Sequence, residues 1–181
     1  MAQGGYGTTA RMLHWITFLL VLGMVPAGMV MTQEGLDRGL QDQLFILHKN
    51  GGVILLAVVL VRLAWRALVP PPPLPAGMPD WQRQTSLWVH RLMYATLIFM
   101  ALTGYLRVTL GGFPVEMLDA IGVPRLPRSD AMAALAQRAH FLGKFLLMGL
   151  IVVHVGAAIG HAIVKRDGVF SRMWPPIRRS G

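Results

Sequence analysis

The chain has 181 residues, of which 54% are hydrophobic and only 14% are charged. Because soluble domains carry about 25% charged residues, this composition excludes a disordered chain and argues against an ordinary soluble domain. The formal net charge of +9 is compatible with binding to nucleic acid or to an anionic membrane surface. Since the charges cluster at the ends of the hydrophobic blocks, we expect membrane lipids and no nucleic acid as partners.

Four hydrophobic blocks predict transmembrane helices at about residues 12–31, 45–66, 87–108 and 131–164. Each block approaches the roughly 20 residues that a helix needs to cross about 30 Å of hydrocarbon. A signal peptide is the alternative interpretation of the first block, with Val25-Pro26-Ala27 as its cleavage site, but the block is long for that role. The sequence therefore predicts an all-α fold, an integral membrane four-helix bundle, with residues 1–181 forming one domain.

Helix-breaking residues separate the predicted helices. The proline-rich run 70–75 ends the second helix and favours polyproline II. Gly111-Gly112 followed by Pro114 ends the third helix. The outer loop, about residues 109–130, is expected to contain a short surface helix within 114–121, and Ser129-Asp130 is expected to cap the fourth helix. Residues 165–181 form the predicted tail.

The distribution of charge predicts the orientation of the bundle. If the N-terminus lies inside, ten of the 17 basic residues lie on the inner side and six of the eight acidic residues on the outer side. The inner basic residues are Arg11, Arg62, Arg66, Arg83, Arg91, Lys165, Arg166, Arg172, Arg178 and Arg179. The outer basic residues are Arg38, Lys49, Arg107, Arg125, Arg128, Arg138 and Lys144. The positive-inside rule then places both the N- and C-termini in the cytoplasm.

Histidines in the predicted helices are the main candidates for function, because ionisable side chains are rare inside membrane spans. Each helix carries at least one histidine, and the set is His14, His48, His90, His140, His154 and His161. His140 and His154 are 14 residues apart, which places them about 40° apart around the fourth helix and about 21 Å apart along it. One face of this helix therefore presents histidines at two depths, which indicates two stacked cofactors.

The other helices supply a histidine near each depth. We expect an outer pair of His48 and His140, since both lie where their helices begin at the outer side. The inner pair is expected to be His14 and His154, although depth alone leaves His161 as an alternative to His154. A structural role as a hydrogen-bond partner between helices is the alternative interpretation of each single histidine.

The absence of cysteine narrows the choice of cofactor. Covalent c-type haem, cysteine-ligated iron–sulfur clusters and disulfides are all excluded. Non-covalent haem b fits two facing imidazoles in an apolar bundle, so two haem irons with bis-histidine ligation are predicted. Basic residues near the two depths are candidates for holding the haem propionates, with snorkelling to lipid headgroups as their alternative role. These residues are Lys49 and Lys144 outside, and Arg62, Arg66 and Arg91 inside.

Short motifs occur in the same order as the predicted helices. They are Arg11-Met12-Leu13-His14-Trp15, His48-Lys49-x-Gly51, Arg62-Leu63-x-Trp65-Arg66, His90-x-x-x-Tyr94, Leu102-Thr103-Gly104-Tyr105, His140-x-x-x-Lys144, Leu150-Ile151-x-x-His154 and His161. Together they resemble the bacterial cytochrome b561 family. The resemblance covers nearly the whole chain, except for residues 107–138, which include the outer loop, and the proline-rich run.

The resemblance implies a four-helix, di-haem b, multi-pass protein of the bacterial inner membrane. In that family's pattern, the iron ligands carry over to His14, His48, His140 and His154. His90 and His161 are not ligands in that pattern, and we expect them near the inner haem as propionate or quinone contacts or in packing.

One branch of the family looks like a superoxide oxidase, which passes an electron from periplasmic superoxide to ubiquinone. The resemblance therefore implies transmembrane electron transfer coupled to quinone, with superoxide as the expected donor. Superoxide is an anion and would meet Lys49, Lys144 and Arg138 at the outer face. The six outer acidic residues reduce this field to about one net positive charge.

Three alternative functions remain open at the level of the sequence. The chain could oxidise quinol and donate electrons to a periplasmic cytochrome c or another periplasmic redox protein. It could be the haem b membrane anchor of a larger oxidoreductase complex. In a different functional class, it could be a histidine-lined transporter of metal ions or protons.

Overall fold

The computed structural model describes residues 5–75 and 77–175, and these residues contain helices and no β-strand. The α-helices in this part of the chain are α1 (Thr8–Val30), α2 (Arg38–Leu68), α3 (Asp80–Leu110), α4 (Glu116–Ala120) and α5 (Asp130–Ile159). A π-helical turn at Gly160–Lys165 continues α5, and a 3-10 turn follows at Phe170–Arg172. The predicted all-α fold class is confirmed.

Four of these helices, namely α1, α2, α3, and α5 with its π-helical turn, are long and apolar enough to cross a membrane. Only 11–22% of the residues in their most apolar windows are buried inside the protein. Most of their apolar side chains therefore face outward, as expected for helices surrounded by lipid. The cytoplasmic location of the termini stays a prediction, and Arg178 and Arg179, which contribute to it, lie outside the described residues.

The helices extend beyond the hydrophobic blocks seen in the sequence. α2 and α3 have 31 residues each, which corresponds to about 46 Å and exceeds the hydrocarbon thickness. α2 begins seven residues before its apolar block because Asp37 caps it, with Oδ1 accepting a hydrogen bond from the Leu40 amide at 3.0 Å. The polar ends of these helices therefore reach the headgroup level.

The helix boundaries follow the breakers in the sequence. α2 ends at Leu68, just before the proline-rich run, and α3 ends at Leu110, before Gly112 adopts a φ of +82° that favours glycine. α4 lies within 114–121, so the predicted short helix of the outer loop is confirmed. α5 begins at Asp130 directly after Ser129, but the Ser129 side chain makes no capping hydrogen bond.

The core of the bundle lies at mid-depth. α5 packs most extensively on α3, and α2 packs on both α1 and α3. A buried cluster of Leu55 and Val59 from α2, Leu97 from α3 and Leu147 from α5 joins these helices. Leu147 lies seven residues from both His140 and His154, so this core separates the two depths at which α5 carries histidines.

The bundle has two distinct ends, which we name after the predicted orientation. The inner end carries His14 and the C-terminal segment, and the outer end carries His48 and α4. At the inner end the buried Arg11 donates hydrogen bonds to the carbonyls of Tyr6 and Pro175, at 2.9 and 3.0 Å. The N-terminal segment is thereby held against the C-terminal segment.

A second buried arginine adds the proline-rich run to this inner cap. The guanidinium of the buried Arg172 donates hydrogen bonds to the carbonyls of Pro72 and Pro73, both at 2.8 Å. The backbone carbonyl of Arg172 accepts a hydrogen bond from the Tyr6 amide. The Trp15 indole also donates to the carbonyl of Met173 at 2.9 Å. Three segments that are distant in sequence therefore close the inner end.

Candidate cofactor sites

The outer histidines face each other across the bundle. The ring centroids of His48 on α2 and His140 on α5 lie 6.2 Å apart, with an angle of 82° between the ring planes. The Nδ1 atom of His48 lies 3.1 Å from the carbonyl oxygen of Met24, and that of His140 lies 3.0 Å from the carbonyl oxygen of Met100. When Nδ1–H donates to a carbonyl, Nε2 keeps the lone pair that a metal ion takes.

The two halves of the outer site are built alike. In each half, one helix carries Met-x-x-x-Gly and the next long helix carries His-x-x-Gly. The four pairs of corresponding residues are Met24 and Met100, Gly28 and Gly104, His48 and His140, and Gly51 and Gly143. In each half the methionine carbonyl contacts the histidine Nδ1, the first glycine faces the histidine ring and the second glycine faces the methionine sulfur.

Glycine is needed beside both rings because the helices approach closely there. A Cβ atom at Gly28 would lie 2.7 Å from Cε1 of His48, and one at Gly104 would lie 3.2 Å from Cε1 of His140. Carbon atoms in van der Waals contact are about 3.5–4.0 Å apart. Any side chain at Gly28 would therefore displace the His48 ring.

The inner cluster contains three histidines. The ring centroid of His154 on α5 lies 6.1 Å from that of His14 on α1 and 5.1 Å from that of His90 on α3. The Nδ1 atom of His90 lies 2.6 Å from the carbonyl oxygen of Ser86 in its own helix. The structure thus brings His14 and His154 together, and it adds His90 beside them.

His161 lies in a different environment. Its Nδ1 atom is 2.6 Å from Oδ2 of Asp167, just beyond the π-helical turn. Burial would raise the pKa of Asp167, but hydrogen bonds from His161 and from the Val169 amide bring it below its ordinary value. The imidazole of His161 is therefore engaged by a neighbouring carboxylate at the inner end.

The separations within the two predicted pairs suit a shared metal ion. Two imidazole nitrogens that bind one metal from opposite sides each lie about 2 Å from it, and the ring centres are then about 6 Å apart. Among the described residues, no three His, Cys, Asp or Glu side chains are arranged to hold a metal ion. A metal with only two protein ligands needs its remaining ligands from elsewhere, and the four nitrogens of a porphyrin meet this need. The outer pair therefore fits haem as it stands. At the inner pair Nδ1 of His14 accepts from Arg62, so Nε2 of His14 is free to bind iron once Arg62 turns to another acceptor such as a propionate.

Cationic side chains accompany the inner cluster. An Nη atom of Arg62 lies 2.9 Å from Nδ1 of His14, and the Arg62 guanidinium stacks over the Tyr94 ring at 5.2 Å. Arg62, Arg66 and Tyr94 also line a cleft that opens beside the inner cap. These two arginines, which the sequence marked as propionate candidates, thus lie together next to the inner histidines.

At the outer end, Lys49 already has an anionic partner. Its ammonium lies 2.6 Å from Oε1 of Glu116 on α4 and 2.9 Å from the carbonyl oxygen of Pro114. Asn50 contributes to the same contact, because its amide donates to Oε2 of Glu116 at 3.1 Å and accepts from the Met117 amide at 3.0 Å. The pair Lys49–Glu116 therefore attaches α4 to α2.

The other two basic residues that the sequence suggests for the haem propionates, Lys144 and Arg91, lie over aromatic rings. The Lys144 ammonium is 4.1 Å from the centre of the Phe141 ring, and the Arg91 guanidinium is 5.3 Å from that of Trp88. In both cases the aromatic partner lies three residues away on the same helix, which favours cation–π contact. Neither cation is shown in contact with a histidine pair.

Sequence reasoning missed several groups that position the histidines. The carbonyls of Met24 and Met100 have no side-chain signature, but the repeated spacing of Met, Gly and His is a signal that could have pointed to them. Thr103, whose hydroxyl oxygen lies 3.2 Å from Nδ1 of His140, was quoted only as part of a motif. Arg107 was counted only for topology, although it lies one helical turn from Thr103 and Gly104, which lie against His140.

Comparison with known proteins agrees with this architecture. The family described as prokaryotic cytochrome b561 matches residues 5–176. The chain is 30% identical over 170 residues to cytochrome b561 homolog 2 of Escherichia coli strain K12, covering 93% of this chain and 90% of that protein. It is 26% identical over 178 residues to cytochrome b561 homolog 1 of the same strain, covering 94% and 97%. The chain therefore belongs to the prokaryotic cytochrome b561 family, because the family match covers nearly its whole length and its four long helices bring histidines together in pairs.

Proposed function

We propose that the chain holds two haem b groups, the outer one between His48 and His140 and the inner one between His14 and His154, and passes single electrons between them. Membership of the family makes the chain a transmembrane haem b electron-transfer protein, and the transporter alternative is therefore dropped. The observation that carries the number and position of the haems is the pair of facing histidines at each of two depths.

The spacing of the two sites supports electron transfer across the bilayer. His140 and His154 lie about 21 Å apart along α5, a large part of the roughly 30 Å hydrocarbon thickness. Bound haem supplies one-electron chemistry at each depth. The chain contributes ligand orientation through the carbonyls of Met24 and Met100, space through Gly28 and Gly104, and an apolar layer between the sites.

We propose that the inner end binds the carboxylates of the inner haem and a quinone. Arginine forms paired hydrogen bonds with carboxylates, so Arg62 and Arg66 are suited to hold the propionates of the inner haem. The cleft that they share with Tyr94 marks where we propose that the quinone headgroup approaches the inner haem. His90 lies against His154 and is suited to contact either group. His161 lies beside Asp167, and we assign it a role in the inner surface rather than in ligation.

The electron donor that we propose is superoxide on the periplasmic side, with ubiquinone as acceptor. Each superoxide loses one electron and becomes dioxygen, and two electrons with two protons convert one ubiquinone into ubiquinol. The proposal places the protein in the bacterial inner membrane with both termini in the cytoplasm, as the positive-inside rule predicts. A one-electron oxidation needs no acid or base catalyst, and the outer end needs only access and positive charge.

Haem analysis of purified variants tests the ligand assignment. We expect two haem b groups per chain by pyridine haemochrome, and one in His140→Ala and in His154→Ala. His161→Ala is the matched control on the same helix, and we expect it to retain both. Two haems in His154→Ala, or one in His161→Ala, would contradict the inner pair.

Stopped-flow kinetics test the direction of electron flow. We expect potassium superoxide to reduce the haems of the purified protein rapidly, and added ubiquinone to reoxidise them. The alternative function is oxidation of quinol with electron donation to a periplasmic redox protein, and it predicts electron flow from quinol through the haems to the outer side. If ubiquinol reduces the haems quickly and superoxide does not react with them, the protein oxidises quinol and the proposal of superoxide as donor is wrong.

A further inference from the structure

Of the basic residues near the outer histidines, Lys49 and Arg107 have different surroundings. Lys49 follows His48 directly, yet its side chain is only 13% exposed and its ammonium is held by Glu116 and by the carbonyl of Pro114. This carboxylate offsets the positive charge of Lys49. Lys49 is therefore poorly placed to receive another anion.

Arg107 lies on the face of α3 that carries the outer site. It is three residues beyond Gly104 and four beyond Thr103, both of which contact His140. Residues at these spacings share one helix face, so Arg107 lies one turn nearer to the outer end than the His140 contacts.

The guanidinium of Arg107 is partly buried and has no partner in the part of the chain that the structure describes. Removing a charged group from water is unfavourable unless hydrogen bonds replace the lost water. Guanidinium offers five N–H donors in a planar arrangement that matches anionic oxygen atoms. An unpaired, partly buried arginine beside a cofactor site is thus suited to bind an anion.

The near-symmetry of the outer site makes Arg107 stand out. Three residues after Gly104, α3 carries Arg107, whereas the residue three after Gly28 is the buried and apolar Met31, at the end of α1. Among the other described basic residues of the outer end, Arg125 and Arg128 are paired with Asp119 and Asp130. Lys144 lies over the rings of Phe141 and Phe145, and Arg38 and Arg138 are exposed, so Arg107 is the partly buried cation of this end for which the described residues supply no partner.

We propose that Arg107 is the anion-recognising residue of the outer site. It binds the oxygen atoms of an anion, either a carboxylate of the outer haem or a small anionic electron donor arriving from the outer side. Glu116 keeps Lys49 out of this role. This inference rests on the proposed function, because it needs an outer haem between His48 and His140.

The variants that test the inference are Arg107→Gln, which removes the charge, and Arg107→Lys, which keeps the charge but loses the planar donors. Arg38→Gln is the matched control, since Arg38 is an exposed arginine at the same end of the bundle, ten residues before His48. Thermal unfolding in detergent identifies any variant that fails to fold. Haem content, haem transfer to apomyoglobin and reduction by potassium superoxide are then measured for each.

The two sources of the anion give different outcomes. If Arg107 binds a haem carboxylate, Arg107→Gln loses one haem to apomyoglobin at least about tenfold faster than the wild type, and Arg107→Lys does not restore retention. If it binds a small anionic donor, haem retention is unchanged and the superoxide rate falls about tenfold, with partial recovery in Arg107→Lys. Reduction by the neutral donor duroquinol is then unaffected.

The inference is overturned if folded Arg107→Gln matches Arg38→Gln in both haem retention and superoxide rate. Failure of the proposed function has a different signature. A wild-type protein that has no outer haem would contradict the proposed function before any variant is compared. A wild-type protein with two haems and no superoxide reaction leaves the haem-retention measurement as a complete test of Arg107.

Discussion

Replacing Gly28 by alanine should disturb the outer haem selectively. The new Cβ would lie 2.7 Å from Cε1 and 3.1 Å from Nδ1 of His48. To reach ordinary carbon contact, the ring must withdraw by about 0.8 Å. Binding constellations tolerate displacements of about 0.5 Å, so this movement is large enough to matter for ligation.

The size of the effect follows from two contributions. Overpacking in a closely packed region costs about 1–3 kcal/mol. Displacing the ring also strains the contact between Nδ1 of His48 and the Met24 carbonyl, which is 3.1 Å long, and a hydrogen bond contributes about 1 kcal/mol. The sum of about 2–4 kcal/mol corresponds to at least about a thirtyfold loss in affinity for the outer haem.

Gly23→Ala provides the control on the same helix. A Cβ at Gly23 meets no atom within 4 Å, and alanine in a helix is favoured over glycine by about 1 kcal/mol. Pyridine haemochrome and haem transfer to apomyoglobin should therefore show two firmly held haems in Gly23→Ala and loss of one in Gly28→Ala. If both variants retain two haems with equal transfer rates, the close approach of α1 to the His48 ring is not what positions this ligand.

Three further predictions concern the two ends of the bundle. Glu116→Gln should raise the hydrogen exchange of the α4 amides about tenfold, because the charged contact that attaches α4 to Lys49 is lost. Equal exchange in the variant and the wild type would show that this contact does not attach α4. Burial alone would raise the pKa of Glu116, but the hydrogen bond from Lys49 brings it below the ordinary 4.5. The attachment of α4 should therefore be constant above pH 4.5 and weaken only as the pH falls through the lowered value, which exchange measured against pH checks. Arg172→Gln should cost about 2–4 kcal/mol through the lost bonds to the Pro72 and Pro73 carbonyls; an unchanged midpoint of thermal unfolding would refute this.

Helical periodicity explains why the histidine pairs could be predicted. The spacing of His140 and His154 on one helix depends only on the rise and twist of an α-helix, and the membrane restricts the other helices to similar depths. The structure places His48 against His140 and His14 against His154. Depth alone did not decide between His154 and His161, and in the structure His161 lies beside Asp167.

Contacts between distant segments could not be predicted in the same way. Lys49 appears in the sequence as a free cation next to a histidine, but the structure pairs it with Glu116, 67 residues later in the outer loop. Its partner depends on where α4 folds back on α2, which no local pattern specifies. The hydropathy pattern also did not predict that α2 begins at Arg38, because this first part of the helix is capped by Asp37 and is not apolar.

The sequence by itself determined the four membrane helices, the absence of cysteine ligation and the two depths of histidine, because these depend on composition and on helical geometry along one chain. Only the tertiary structure decided which groups contact Nδ1 of His14, His48 and His140, which glycines face the outer rings and which cations are already paired. Backbone carbonyls, close helix approaches and ion pairs form between segments that are distant in sequence, so their identity depends on how the helices pack.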